Sequence, residues 1–166
     1  MKTKTIQQTV RFKGSPREVY ELLMNSKKHQ SLSGENAVIS ANVPGKFKAW
    51  NGHITGFNLA LMPGMKIVQA WRARGWWPGH YSIAIFNIEK AKDGSLLRFT
   101  QIGVPSHRYS GHYRGWIEAY WTPMKEVLAS GKIGDKTRAR VKADREKGHK
   151  KDTIGRTRFG PKLPSC

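Results

Sequence analysis

The 166-residue chain carries 30 Lys/Arg against 11 Asp/Glu, a formal net charge of +19, and one cysteine, Cys166, at its last position. That length fits one domain able to hide roughly 70% of its unfolded surface, so it needs neither disulfides nor a metal to hold a core. A lone terminal thiol forms no internal bridge, the N-terminal residues lack the apolar stretch of a secretory signal, and no apolar run approaches membrane-spanning length. These features predict a soluble cytoplasmic protein with no membrane span.

The charge is unevenly placed. Residues 1–130 hold 18 Lys/Arg against 7 Asp/Glu, a net of +11, and residues 131–166 hold 12 against 4, a net of +8. Such a field favours association with polyanions without conferring specificity.

The chain opens with an alternating strand. From Gln8 to Phe12, Val10 and Phe12 share one face while Thr9 and Arg11 take the other. A helix start follows, with Ser15 as N-cap, Pro16 at the first helical position and Glu18 completing a capping box. Val19, Leu22 and Leu23 give that helix one apolar stripe. Residues 27–33 are polar and read as a short irregular helix or a loop.

Between residues 35 and 103, strand-like runs alternate with turn signals: 36–40, then 46–50 meeting the Asn51-Gly52 hairpin signal, then 53–61 ending at Pro63-Gly64. Two further strands, 66–71 and 81–88, flank Trp71-Arg72-Ala73-Arg74-Gly75-Trp76-Trp77-Pro78-Gly79-His80, which holds three of the six tryptophans. After Asp93-Gly94 comes a last strand, 96–102. Consecutive strands on short turns make an antiparallel meander. A second long helix spans roughly 112–130, with Trp116, Tyr120, Met124, Val127 and Leu128 on one face and a kink at Pro123. The fold class is α+β, a curved antiparallel sheet wrapped around a long C-terminal helix. Residues 1–130 form the domain. Residues 131–166, poor in large apolar side chains, read as a basic, flexible tail.

The chemistry-bearing residues point away from catalysis. The six histidines show no metal-ligand spacing, no nucleophile motif is present, and the carboxylates of residues 1–130 offer no paired acid/base site. No catalytic residue, metal site or cofactor is expected. The aromatic side chains are more numerous than a compact core needs, and neither face of strand 66–73 is cleanly apolar. One explanation is a pocket of ~300–1,000 Å³ between sheet and helix; ordinary core packing is the other. Arg72 and Arg74 could stack on Trp71 or Trp76, or offer guanidinium forks to a carboxylate.

The run Gly45–Gly56, the Pro63-Gly64…Ile67-Val68…Trp71-Arg72 series, Trp77-Pro78-Gly79-His80, Gly103-Val104-Pro105 and Gly115-Trp116…Tyr120-Trp121 occur in this order. The series resembles the C-terminal domain of the family named for the activator of the heat-shock protein 90 ATPase. That family lies within the START-like, polyketide-cyclase-like helix-grip superfamily. The resemblance covers roughly residues 5–130 and implies a seven-stranded sheet gripping the last helix. Trp50, Trp71, Trp77, His80, Trp116 and Tyr120 match recurring positions of the family. Superfamily members commonly hold a hydrophobic molecule between sheet and helix. The leading expectation is therefore a non-catalytic protein binding a small hydrophobic ligand through Trp50, Trp71, Arg72, Tyr81, Trp116, Tyr120 and Met124. Two alternatives stand beside it: a co-chaperone-like regulator of a heat-shock protein 90 ATPase, and a polyanion-binding protein that contacts nucleic acid or ribosome through the tail.

Overall fold

The computed structural model describes residues 1–130, so the expected basic tail lies outside the described residues. Strand β1 (Thr3–Phe12) turns its inward positions Ile6, Val10 and Phe12 into the core. Helix α1 (Pro16–Met24) starts where the capping box predicts. Ser15 Oγ accepts from the Glu18 amide at 3.2 Å, and Glu18 Oε2 accepts from the Ser15 amide at 2.7 Å. The helix buries Val19, Tyr20, Leu22, Leu23 and Met24.

The polar stretch that follows is a second helix, α2 (Ser26–Ser33). Asn25 caps it, accepting from the Lys28 amide at 3.1 Å, and Gly34 at φ 71° ends it in the left-handed conformation. It buries only His29, Leu32 and Ser33, too few positions to show a clear apolar period.

The remaining strands are β2 (Val38–Ile39), β3 (Gly45–Ala49), β4 (Ile54–Met62), β5 (Lys66–Ala73), β6 (Ser82–Ala91) and β7 (Gly94–Pro105). They form one seven-stranded antiparallel sheet in the order β1-β7-β6-β5-β4-β3-β2. The meander runs from β2 to β7, while β1 closes on β7. The chain therefore passes from one edge of the sheet to the other through α1 and α2. The β3–β4 turn holds Trp50, Asn51 and Gly52 at φ 54°, 54° and 81°. Asn51 pins that turn by donating to Glu35 Oε2 and accepting from the Asn36 amide.

The C-terminal helix is longer than expected and changes character along its length. It runs through a 3-10 turn (Ser106–Arg108), α3 (Tyr109–Gly115), a π-helical segment (Trp116–Trp121) and α4 (Thr122–Ser130). The π segment answers Pro123. A proline cannot donate to the residue four before it and its ring crowds that carbonyl. Here the helix widens instead, so that the Thr122 amide reaches back five residues to the Ile117 carbonyl. The expected apolar face is kept and widened: Trp121 joins Trp116, Tyr120 and Met124 in the core, Val127 and Leu128 pack against it, and Ile117 is left 39% exposed.

Candidate functional site

The inner face of the sheet and the inward side of the C-terminal helix meet in a continuous aromatic layer. Trp71, projected from β5, lies 5.5 Å from Trp116 and 5.6 Å from Trp76 between ring centroids. Trp116 packs on Phe99 at 4.4 Å, on Tyr120 at 4.7 Å, and stacks on Trp121 at 5.4 Å with the planes 19° apart. That last stack joins residues five apart, the spacing that a π-helical turn brings together.

Each of four indole N–H groups finds an acceptor, as a buried tryptophan requires. Trp116 donates to Gln101 Oε1 at 2.8 Å, Trp121 to Gln8 Oε1 at 2.7 Å, Trp76 to His112 Nε2 at 3.0 Å, and Trp50 to the Tyr120 hydroxyl at 2.9 Å. Gln101 continues inward, donating to Ser82 Oγ at 2.9 Å, and Ser82 donates to the Trp71 carbonyl at 2.8 Å. Farther along the face, Gln69 donates to Asn58 Oδ1 at 3.1 Å, and Asn58 donates to the Ser40 carbonyl at 2.8 Å and the Asn42 carbonyl at 3.0 Å. Glutamine and asparagine on the inner face explain why strand 66–73 looked mixed: the polar groups are paired with one another.

Two histidines are held neutral by this packing. Burial lowers His29 from 6.5 to about 4 against a weaker opposing backbone hydrogen bond, and its Nε2 lies 3.1 Å from the Tyr120 hydroxyl. Burial, followed by the charges of His53 and Arg108, lowers His112 to about 4. Burial also raises the Tyr120 phenol well above its usual range. Among the described residues, no three His, Cys, Asp or Glu side chains gather as a metal site would need, and no helix is long and apolar enough to cross a membrane.

Among the described residues, the space between sheet and helix is smaller than a ligand needs. The space between sheet and helix is a void of about 20 Å³, lined by residues that include Met24, His29, Phe47, Gln69, Trp71, Phe86, Trp116 and Tyr120. That is room for about one water molecule. The bulky rings themselves fill the volume that the sequence suggested they surround.

The seven expected binding residues divide accordingly. Trp71, Trp116 and Tyr120 line the void. Met124 is fully buried and Trp50 half-buried, and neither lines the void. Arg72 and Tyr81 lie on the outer face, because strand alternation sends Arg72 away from Trp71. There the Arg72 guanidinium sits 5.7 Å over the Tyr81 ring and donates to the carbonyls of Trp76 and Trp77 at 3.4 and 3.3 Å. Its ring partner is thus Tyr81, rather than Trp71 or Trp76. His29, Gln69, Asn58, Gln101 and Trp121 also belong to the interior network, and none of them was among the expected binding residues.

Residues 13–129 match the family described as Activator of Hsp90 ATPase homolog 1-like protein. The chain is 30% identical over 133 residues to the activator of 90 kDa heat shock protein ATPase homolog of Dictyostelium discoideum, covering 79% of this chain and 35% of that protein. It is 27% identical over 121 residues to the activator of 90 kDa heat shock protein ATPase homolog 1 of Homo sapiens, covering 72% of this chain and 36% of that protein. The chain thus spans roughly a third of the length of these curated relatives. Among solved structures, an HSP90 activator from Plasmodium falciparum superposes with a TM-score of 0.70 at 22% identity, over 75% of this chain and 96% of that one. An Aha1 dimer from Colwellia psychrerythraea gives a TM-score of 0.66 at 18% identity, over 78% of this chain and 98% of that one. At these identities the solved structures speak for the fold: a helix-grip domain.

Proposed function

This chain belongs to the Activator of Hsp90 ATPase homolog 1-like family, and on that premise we propose that it is a non-catalytic protein that docks on a 90-kDa heat-shock protein homologue and regulates its ATPase. The observation that carries the reading is the family match itself, which runs from Lys13 to Ala129 and so takes in nearly the whole sheet and the helix it grips. The filled interior supports it from the other side. With a void of about 20 Å³, a carrier role for a hydrophobic molecule would require the aromatic layer to open, whereas a docking role uses the surface and leaves the core closed.

The curated activators are longer, so binding and activation are separate parts of the proposal and are measured separately. The full-length chain is incubated with the purified chaperone homologue of the same organism, at low and at physiological salt, and both capture and ATP turnover are followed. Capture together with altered turnover is expected. Absence of capture at low salt overturns the reading. A saturable tryptophan fluorescence response to lipids or aromatic ligands, with no capture of the chaperone, would put the hydrophobic-ligand reading in its place.

A further inference from the structure

The inner face of the sheet is consumed by the grip on the C-terminal helix, and the outer face presents an apolar centre. In an antiparallel sheet with one solvated face, outward positions are ordinarily polar. Here one row across four central strands reads Phe57, Ala70, Ile83, Ile102, each paired in register with the next. The neighbouring row reads Val68, Ile85, Thr100. Phe57 is 36% exposed, Ile102 47% and Tyr81 40%, and the Phe57 and Tyr81 rings meet edge to face at 5.6 Å. A single exposed isoleucine is ordinary, but contiguous apolar side chains on strands that keep their register mark a contact surface.

Charge identifies what the face accepts. The seven strands together carry eight Lys/Arg and one carboxylate, Glu89, whose Oε1 lies 3.1 Å from Arg98. Lys46 and Lys48 stand exposed on β3, two strands from the apolar row's centre, and Arg72 stands beside Tyr81. A second copy of this face would bring cations against cations. Residues 131–166 of the same chain, with 12 Lys/Arg against 4 Asp/Glu, would be repelled as well. Nucleic acid would satisfy the charge but gains little from Ile83, Ile85 and Ile102, since bases stack on aromatic faces and phosphates seek cations. Aromatic rings beside an arginine are the composition that concentrates binding energy in protein interfaces.

We propose that this outer sheet face is the docking surface for an acidic protein partner, one that sets apolar side chains on the Phe57–Ile83–Ile102 row and carboxylates against Lys46, Lys48 and Arg72. This rests on the reading that the chain binds a 90-kDa heat-shock protein homologue, and it names the face and the chemistry of that contact.

The test compares the full-length wild-type chain with Ile102→Glu, with the double variant Lys46→Glu/Lys48→Glu, and with Thr9→Glu, an exposed β1 position away from the row. Binding to the purified chaperone is measured over a salt series, and thermal unfolding is recorded for each protein. Ile102→Glu and the double lysine variant are expected to weaken binding by about tenfold or more, while Thr9→Glu binds as the wild type does. The wild-type affinity is expected to fall as salt rises. If Ile102→Glu fails to fold, the lysine variant, changed at exposed positions only, decides the matter. A wild type that binds while both variants bind equally well overturns the face and leaves the chaperone reading standing. No wild-type binding at low salt overturns both. Binding of single-stranded nucleic acid, lost in the same variants and without chaperone binding, overturns the assignment to an acidic protein.

Discussion

Trp50 sits in the left-handed region at φ 54°, and its indole N–H donates to the Tyr120 hydroxyl 2.9 Å away. A bulky side chain in that conformation is strained, and it persists where the surroundings over-determine it. Tyr120 belongs to the π-helical segment, so this bond ties the strained β3–β4 turn to the C-terminal helix. With the Tyr120 oxygen accepting from Trp50, its O–H is left to donate to the unprotonated His29 Nε2 at 3.1 Å. One phenol thereby joins the turn, the helix and α2.

Tyr120→Phe removes that oxygen while preserving the ring. The Trp50 N–H and the His29 ring each lose a partner in a buried setting, which costs about 1–3 kcal/mol. Denaturant unfolding of the variant is expected to show this as a lowered midpoint with an unchanged slope. A variant within a few tenths of a kcal/mol of wild type would mean that the turn is held by packing alone.

Gln101 is the corresponding tie on the other side of the aromatic layer. It is fully buried, accepts from Trp116 and donates to Ser82. Gln101→Leu keeps the volume and strands both partners, so a loss of about 2–4 kcal/mol is expected. Gln101→Glu retains an acceptor for Trp116 but buries a carboxyl, and its deficit should grow as pH rises and that group is forced to ionise. Thermal melts of the two variants at pH 5 and pH 8 separate hydrogen bonding from charge.

Local signals in the chain foretold local structure. Ser15, Pro16 and Glu18 announced α1, and Asn51-Gly52 marked the β3–β4 turn. The period around Trp116 and Tyr120 directed that helix face inward, where it meets Trp71. What the pattern hid has physical causes. The π segment that accommodates Pro123 adds a residue to one turn, so a fixed helical period left Trp121 off the inward face. The polar residues Gln69, Asn58 and Gln101 blurred the inner face because their partners lie on other strands. Arg72 was grouped with Trp71 although alternation separates them. The size of the space between sheet and helix depends on how the rings interlock, which no periodicity encodes.

Gly56 on β4 faces the Phe47 ring and the neighbouring strand. A Cβ at that position would lie 1.9 Å from the Ala70 carbonyl oxygen and 2.7 Å from Phe47 Cζ. One of those obstacles is backbone and cannot swing aside, so Gly56→Ala should exceed the usual overpacking cost of about 1–3 kcal/mol. The expected outcome is a variant recovered largely insoluble, or one with a strongly lowered melting temperature. A soluble variant melting as the wild type does would show that β4 and β5 can move apart.

Acid sensitivity follows from the two neutral histidines. His29 and His112 fall from 6.5 to about 4 on folding. A lowered folded-state value means that, between those limits, the unfolded chain takes up protons that the native protein refuses. Stability is therefore fully present above pH 6.5, declines as pH drops towards 4, and levels off below it as far as these two groups are concerned. The shifts correspond to on the order of 3 kcal/mol per ring across that window. At His112 the cause is burial, followed by the charges of His53 and Arg108, and the geometry agrees, since Trp76 donates to its Nε2 at 3.0 Å and a proton there would displace that bond. His112→Gln, which offers Trp76 an amide oxygen instead, should flatten the decline by roughly half. The double variant His29→Gln/His112→Gln should lose the part of the decline that these two rings supply. Urea midpoints at pH 7, 5.5 and 4.5 measure it. Parallel declines in the wild type and the double variant would show that neither ring is neutral in the fold.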